Sequence, residues 1–326
     1  MKTLKTFYLL TLSTLLSLAA CSKDEGSDPP QPLTIEQTEY TLDAIDNRST
    51  TLSFTASAAW TLSVTGEDSD WLTVTPASGT AGEQTVELSA TRNYRTSART
   101  AYADLACGEQ SVRLTVTQAA ASDDTDFTTL FDPDFAKELQ KQGIIADAEN
   151  ITPEDMEKIA TMTELDVSGT YENPGTLTSL QGIEYFESLT QLSCYYNQLT
   201  SLDISANTAL TELYCYGNQL TSLDVSANMA LTWLSCSYNS LETLDISKNT
   251  ALTWLDCSSN SLTTLDVSAN TALTWLSCEN NPGDRESKFP ITAWFDNDTK
   301  PDNLEIYQGQ WTYDGKTITI DFRKAE

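Results

Sequence analysis

Five cysteines in the C-terminal half of the chain recur at a fixed interval of 21 residues. Each one is preceded two residues earlier by leucine and followed three residues later by asparagine. A fixed period of this length is typical of a solenoid, in which every repeat forms one coil stacked on the last. The spacing therefore predicts a solenoid with a long, open face, which favours binding over chemistry in a deep pocket. The cysteines are Cys194, Cys215, Cys236, Cys257 and Cys278.

The regular unit starts at Leu189 and has the pattern LxxLxCxxNxL. Residues 162–281 resemble leucine-rich repeats of the internalin-like class, which have 21-residue coils and a cysteine ladder. The resemblance implies that leucine and cysteine fill the interior. We expect free, buried thiols, because adjacent strands lie about 4.8 Å apart and a disulfide needs Cβ atoms about 3.8 Å apart. We also expect each asparagine to bond the backbone of its own coil and of the next coil.

The residues between the leucine and cysteine positions are predicted to face solvent on the front of the solenoid. This places three tryptophans in a column on successive coils, with tyrosines extending the aromatic patch towards the N-terminal coils. Contiguous exposed aromatics are typical of binding surfaces, and stacking between identical neighbours is the alternative explanation. The predicted ligand-binding residues are Trp233, Trp254, Trp275, Tyr214, Tyr216, Tyr195, Glu212 and Asp256. The predicted outward positions also include Gln191, Ser193, Ser235, Ser237, Ser258, Ser277 and Glu279.

An aspartate also recurs on the back of each coil, where stacked carboxylates could form a row of metal ligands. We favour the alternative that each one closes a local turn on backbone N–H groups. Segment 147–150 lacks the Asp-x-Asp-x-Asp-Gly pattern of a calcium loop, and single cysteines lack the paired CxxC spacing of a zinc site. We therefore expect no metal and no cofactor. The aspartates are Asp166, Asp203, Asp224, Asp245 and Asp266.

Residues 33–120 alternate apolar and polar positions over eight short runs, which predicts a two-sheet antiparallel sandwich. Trp60 and the segments 71–82, 99–101 and 112–118 resemble the BACON module, an immunoglobulin-like domain of Bacteroidetes surface proteins. The resemblance implies either carbohydrate or mucin binding, or a spacer. Trp60 and Trp71 each open an alternating run, so we expect both to fill the core rather than to hold sugar. We favour the spacer.

Both ends of the solenoid are predicted to be capped. Asp132 and Thr152 are each followed by proline, a pattern that starts helices, and two short helices within 127–161 would cover the first coil. Segment 282–326 is predicted to cover the last coil with two strands joined at an Asp-Gly turn.

The N-terminus has two lysines followed by an apolar run over 7–20, which predicts a secretory signal rather than a membrane-spanning helix. Segment 18–21 resembles the lipobox of bacterial lipoproteins and predicts lipidation of Cys21, whereas a chance cysteine after an ordinary signal is the alternative. Residues 21–32 form a polar, proline-rich tether whose acids resemble the surface-export signal of Bacteroidetes lipoproteins. The predicted location is the outer membrane, lipid-anchored and exposed at the cell surface.

Composition excludes several function classes. The chain has no histidine, which removes Ser-His-Asp and Cys-His catalysis. Its formal net charge is −29, and residues 162–281 contain 13 acids and one base, Lys248, so phosphate-rich nucleic acid is not an expected partner.

Together these features predict a multidomain, non-enzymatic surface lipoprotein that binds an extracellular protein or glycan through its front face. The alternatives are carbohydrate or mucin binding through the sandwich, and an adhesin-like structural role. The predicted divisions are a signal at 1–20, a tether at 21–32, a BACON-like immunoglobulin-type β-sandwich at 33–120, a linker at 121–126, a helical cap at 127–161, leucine-rich repeats at 162–281 and a β cap at 282–326.

Overall fold

The computed structural model describes residues 33–66, 69–122 and 124–325. The predicted signal, the tether and Cys21 lie outside these residues. Within the described part of the chain, no helix is long and apolar enough to cross a bilayer.

Two β-sheets pack face to face in the N-terminal domain. Their strands are β1 Leu33–Ile35, β2 Glu39–Leu42, β3 Ser49–Ala56, β4 Trp60–Thr65, β5 Leu72–Thr75, β6 Ser78–Gly79, β7 Gly82–Ala90, β8 Arg99–Cys107 and β9 Gln110–Gln118. One sheet has the order β1-β3-β7-β5 and the other β2-β9-β8-β4-β6. The eight predicted runs are all strands, and the two-residue β6 was not predicted.

The expectation of a purely antiparallel sandwich is wrong at one edge. Strand β2 pairs in parallel with β9, with Glu39 opposite Thr115. No hairpin joins these two strands, which are far apart in sequence, so no tight turn imposes the antiparallel direction.

The sandwich core contains both of its tryptophans, as predicted. Trp60 is 2% exposed and Trp71 is 6% exposed. The Trp60 ring meets Phe54 edge-on, with ring centroids 5.0 Å apart. A Cβ atom at Gly79 would lie 2.6 Å from Trp60 Nε1, so this position has no room for any side chain.

Two helices follow the sandwich at the predicted places: α1 Pro133–Lys141 and α2 Pro153–Thr161. The Asp132 side chain accepts hydrogen bonds from the N–H groups of the first turn of α1. Thr152 and Asp155 form a reciprocal capping box at α2. Buried side chains of both helices belong to the same apolar core as the first coils. Short 3₁₀ turns span Thr128–Leu130 and Ile183–Tyr185.

The repeats build one parallel sheet along the front of the solenoid. The strands of the C-terminal half are β10 Glu164–Asp166, β11 Gln191–Ser193, β12 Glu212–Tyr214, β13 Trp233–Ser235, β14 Trp254–Asp256, β15 Leu265–Asp266, β16 Trp275–Ser277, β17 Lys288–Ala293, β18 Glu305–Ile306, β19 Gln310–Tyr313 and β20 Lys316–Lys324. The front sheet has the order β10-β11-β12-β13-β14-β16-β18. Its last strand, β18, belongs to the C-terminal segment.

A second sheet, with the order β15-β17-β20-β19, covers the last coils. Strands β19 and β20 form the predicted antiparallel hairpin. Its turn residues Asp314 and Gly315 have φ angles of 49° and 75°, the left-handed conformation that an Asp-Gly turn supplies.

Leucine and cysteine fill the interior, as predicted. The five ladder cysteines are buried and free of disulfides. Burial raises the pKa of Cys194 to about 12 and raises the pKa of Cys215 well above its usual value. These thiols are therefore apolar filling rather than nucleophiles at neutral pH.

Two asparagine ladders hold the coils together. In the first, Asn218 Nδ2 donates to the carbonyls of Cys215 and Cys194, and its Oδ1 accepts from Leu199 N–H, each at 3.0 Å. The prediction that this asparagine bonds the next coil is wrong in direction, because Cys194 and Leu199 belong to the preceding coil. In the second ladder, Asn228 Nδ2 donates to two carbonyls of the preceding coil, and its buried Oδ1 accepts no hydrogen bond from the described residues.

Candidate functional site: an aromatic front face

The three front-face tryptophans, Trp233, Trp254 and Trp275, form one continuous stack, here called the tryptophan column. The register pairs Trp233 with Trp254 and Trp254 with Trp275 on adjacent strands. Their ring centroids are 4.1 and 4.2 Å apart, and the planes differ by 10° and 1°. Parallel, in-register coils place identical side chains directly over one another, so the stack follows from the 21-residue repeat. Each indole remains partly exposed.

Tyrosines continue the column at both ends. Tyr214 lies 6.2 Å from Trp233 and Tyr307 lies 6.1 Å from Trp275, both with tilted rings. The aromatic row therefore runs from β12 to the end of β18. Tyr307 was not among the predicted site residues, because the segment around β18 lacks the LxxLxC pattern that marks a coil.

A second group on the N-terminal coils, the tyrosine cluster, consists of Tyr171, Tyr195, Tyr196 and Tyr216. Tyr195 and Tyr216 stack with their centroids 4.6 Å apart and their planes 6° apart. Tyr196 meets Tyr216 edge-on at 5.2 Å, and Tyr171 lies 6.0 Å from Tyr196 and is 77% exposed. Sequence analysis predicted only the stacked pair. Tyr196 falls outside the strand alternation because its φ of 50° turns the chain there.

The two predicted acidic site residues bond their own neighbours. Glu212 Oε2 accepts a hydrogen bond of 2.8 Å from the Tyr214 hydroxyl. Burial, with this hydrogen bond as a smaller cause, raises the pKa of Tyr214 to about 12. Asp256 Oδ1 accepts from Ser258 N–H and Oγ. Both carboxylates are partly exposed and place negative charge beside the aromatic row.

Several positions predicted to face solvent are instead buried. Five of them are serines, whose short side chains share the front face with large rings. Ser277 Oγ donates to Glu279 Oε2 at 2.6 Å, which satisfies both groups below the surface. The corrected residues are Ser193, Ser235, Ser237, Ser258, Ser277 and Glu279.

Stacking determines what this face can offer a ligand. Both faces of Trp254 are covered by neighbouring indoles at 4.1 and 4.2 Å, so a sugar ring has no open indole face there. The exposed parts are ring edges, tyrosine hydroxyls and flanking carboxylates. Ring edges carry the positive part of the aromatic quadrupole and pack edge-on against other rings or apolar side chains.

The aspartates on the back of the coils close local turns, which is the alternative favoured over a row of metal ligands. Asp203 Oδ1 accepts from Ser205 N–H and Oγ, and Asp224 and Asp245 each accept from the N–H two residues later. Hydrogen bonds from Ser205 lower the pKa of Asp203. Among the described residues, no group of three or more histidine, cysteine or acidic side chains is arranged to hold a metal ion.

Comparison with known proteins identifies two regions. Residues 32–121 match the family described as Viral BACON domain, and residues 187–228 match Leucine Rich repeats (2 copies). No curated protein matches the chain.

Two solved structures from Listeria monocytogenes are similar. The functional domain of InlJ, which includes a cysteine ladder, is 37% identical with a TM-score of 0.43, over 52% of this chain and 38% of that one. The internalin InlF is 18% identical with a TM-score of 0.35, over 61% of this chain and 72% of that one. This chain thus spans well under half of the InlJ structure. It carries a segment that matches the BACON family model, followed by a segment that matches a leucine-rich repeat model.

Proposed function

We propose that the protein is a non-enzymatic, cell-surface binding protein whose front face contacts an extracellular macromolecule. The observation that carries this proposal is the aromatic row from Tyr214 to Tyr307, which is contiguous across five strands of the front sheet and is not fully buried. Aromatic side chains on a preformed surface supply most of the energy in many protein interfaces. Stabilisation of adjacent coils by stacking would account for the tryptophan column. It would not account for the tyrosine cluster, because Tyr171 of that cluster is 77% exposed.

A protein or peptide fits the face better than a glycan. Sugar recognition by tryptophan uses an open ring face, and the faces inside the column are covered. Ring edges with flanking carboxylates suit apolar and basic side chains, which protein surfaces supply.

The sandwich acts as a spacer that holds the repeats in a fixed orientation. The Tyr94 ring lies against both Phe127 and Tyr185, with centroids 5.4 and 5.3 Å away. Thr96 N–H donates to Glu157 of α2 at 2.7 Å. These contacts join the sandwich to the helical cap and to the first part of the repeat region. Lipidation of Cys21 and anchoring in the outer membrane remain part of this proposal and rest on the N-terminal sequence alone.

The alternative in which the sandwich binds carbohydrate has less support. Trp60 and Trp71 are buried, so neither offers a ring to a sugar. Tyr102 is exposed, but the Arg113 guanidinium lies over its ring at 5.4 Å.

The test replaces Trp233, Trp254 and Trp275 together with alanine and measures binding to immobilised mucin, matrix proteins and polysaccharides. Trp294→Ala is the matched control, because Trp294 is a partly exposed tryptophan that packs on Phe295 of the C-terminal cap. We expect the triple variant to lose binding and the control to keep it. The triple variant should lose about 0.5–1.5 kcal/mol per lost stack, a modest fall in melting temperature.

Tyr171→Ala and Tyr307→Ala address the same face and leave all three tryptophans of the column in place. Both residues are largely exposed, at 77% and 61%, so these variants should fold normally. We expect each to weaken binding. Undiminished binding by the folded triple variant would contradict the proposal and leave stacking as the role of the column.

A further inference from the structure

A cleft of about 380 Å³ lies between the sandwich and helix α2, and its lining shares no residue with the aromatic row. The sandwich contributes Arg92, Arg95 and Arg99 to its lining, helix α2 contributes Glu157, and the first part of the repeat region contributes Glu187. We call this site the arginine cleft. Clefts at the junction of two domains are common places for small ligands.

The clustering of arginines is unusual for this chain. The sequence has seven arginines and a formal net charge of −29. Three of the seven line this cleft, and Arg48 shares a neighbouring groove with Arg92. Arg113 and Arg323 form ion pairs with aspartate, whereas no ion pair within the described residues involves the cleft arginines. Like charges are thus brought together without a bonded counterion.

Arg99 is held rigidly at the base of this group. Its guanidinium lies over the Trp71 ring at 4.7 Å, and Nε donates to Gln118 at 2.8 Å. Nη2 donates to Thr91 and to the Arg92 carbonyl. Burial, with the nearby charge of Arg95 as a second cause, lowers the pKa of Arg99 to about 10. In the described structure no hydrogen bond uses its Nη1.

The other two guanidinium groups also have unused donors. Arg92 Nη1 donates to the Tyr185 hydroxyl at 3.3 Å, and its buried Nε has no partner in the described structure. Arg95 is exposed, and no hydrogen bond or ion pair described for the chain uses its side chain. Replacing the Arg95 side chain should therefore break no hydrogen bond or ion pair that the structure describes.

The two acids of the cleft do not supply the missing partner. Glu157 Oε1 already accepts from Thr96 N–H and Oγ1, at 2.7 and 3.2 Å. Glu187 is exposed, and its charge acts on Arg99 only from beyond ion-pair distance. Its side chain is the competitor that an incoming anion would have to displace.

We propose that the arginine cleft binds an oxyanion, namely the carboxylate or sulfate group of a small ligand. The planar guanidinium group matches the geometry of such groups and forms charge-assisted hydrogen bonds with them. Arg99 would position the anion, Arg95 would close over it from the solvent side, and Glu187 would tune the affinity by competing. This site is independent of the front face and does not rest on its function.

The test measures binding of glucuronate and inorganic sulfate to the purified protein by calorimetry, with glucose as the uncharged reference. Arg95→Gln removes one solvent-side donor and should weaken binding about tenfold, the loss expected for one charge-assisted hydrogen bond. Arg113→Gln is the matched control, because it removes the same charge from an exposed arginine of the same domain outside the cleft. Glu187→Gln should strengthen binding by removing the competitor.

Saturable binding that Arg95→Gln weakens and Arg113→Gln preserves would support the site. Tighter binding of glucuronate than of sulfate would assign it to sugar acids, and the reverse order would assign it to sulfated groups. The absence of saturable binding by both the native protein and Glu187→Gln would overturn the proposal, as would equal losses in the two arginine variants.

Discussion

The two halves of the molecule use tryptophan in opposite ways. In the sandwich, Trp60 is 2% exposed and meets Phe54 edge-on, with planes 89° apart. In the repeats, Trp233 and Trp254 are partly exposed and stack with planes 10° apart. Two facing sheets interlock different side chains, whereas parallel coils in register place a side chain over its own copy. The packing around a tryptophan therefore decides whether its side chain lies in the core or at the surface.

The sharpest test of this contrast compares one alanine substitution in each half. Trp60→Ala should cost about 3–5 kcal/mol, the range for removing a large buried aromatic, because the ring is enclosed by Phe54 and the backbone of Gly79. Trp254→Ala removes two stacks of about 0.5–1.5 kcal/mol each and leaves solvent rather than a cavity. Urea denaturation of both variants measures the difference. Equal losses of stability would mean that the column is as structural as the sandwich core.

Sequence periodicity predicted much of both regions. Alternation over residues 33–120 located eight strands and placed Trp60 and Trp71 inside, because a period of two assigns every second side chain to one face. The 21-residue period located the column, since equal spacing guarantees that Trp233, Trp254 and Trp275 share a register.

The features that were not predicted depend on tertiary contacts that no local sequence pattern marks. Tyr307 extends the aromatic row only because β18 adds a strand to the front sheet, and β18 comes from a segment with no repeat motif. Ser235 and Ser237 lie on the predicted face, yet neighbouring large side chains bury them. The arginine cleft is assembled by docking the sandwich on α2, and no spacing within either domain encodes that docking.

Within the repeats, the two asparagine ladders differ in how they join adjacent coils, which leads to a second prediction. Asn218 and Asn228 belong to different ladders of the same coils. Asn218→Ala would remove three hydrogen bonds and leave Leu199 N–H unpaired, whereas Asn228→Ala would remove two and also eliminate an unpaired buried oxygen. We expect losses of about 3 and about 2 kcal/mol, at about 1 kcal/mol per hydrogen bond.

The carbonyls that Asn228 contacts each keep a backbone donor, from Asn207 and Leu210, which limits the damage. Thermal unfolding of the two variants against the native protein measures the order. A greater loss for Asn228→Ala would contradict the assignment of Asn218 as the stronger link between coils.

The smallest expected effect concerns acid and the turn aspartates of the repeats. Hydrogen bonds from Ser205 lower the pKa of Asp203 in the folded protein below the value of about 3.9 for an unfolded chain. A depressed folded pKa contributes stability that is present above about pH 4 and is lost as the pH falls through the folded value. Asp203→Ala should therefore be slightly less stable than the native protein at neutral pH, and this gap should close in acid. Calorimetry at both pH values tests this, with Asp203→Asn as the control that keeps an acceptor for Ser205 N–H without the charge. A gap of equal size at both pH values would assign the role of Asp203 to turn geometry alone, because only the ionised carboxylate responds to pH.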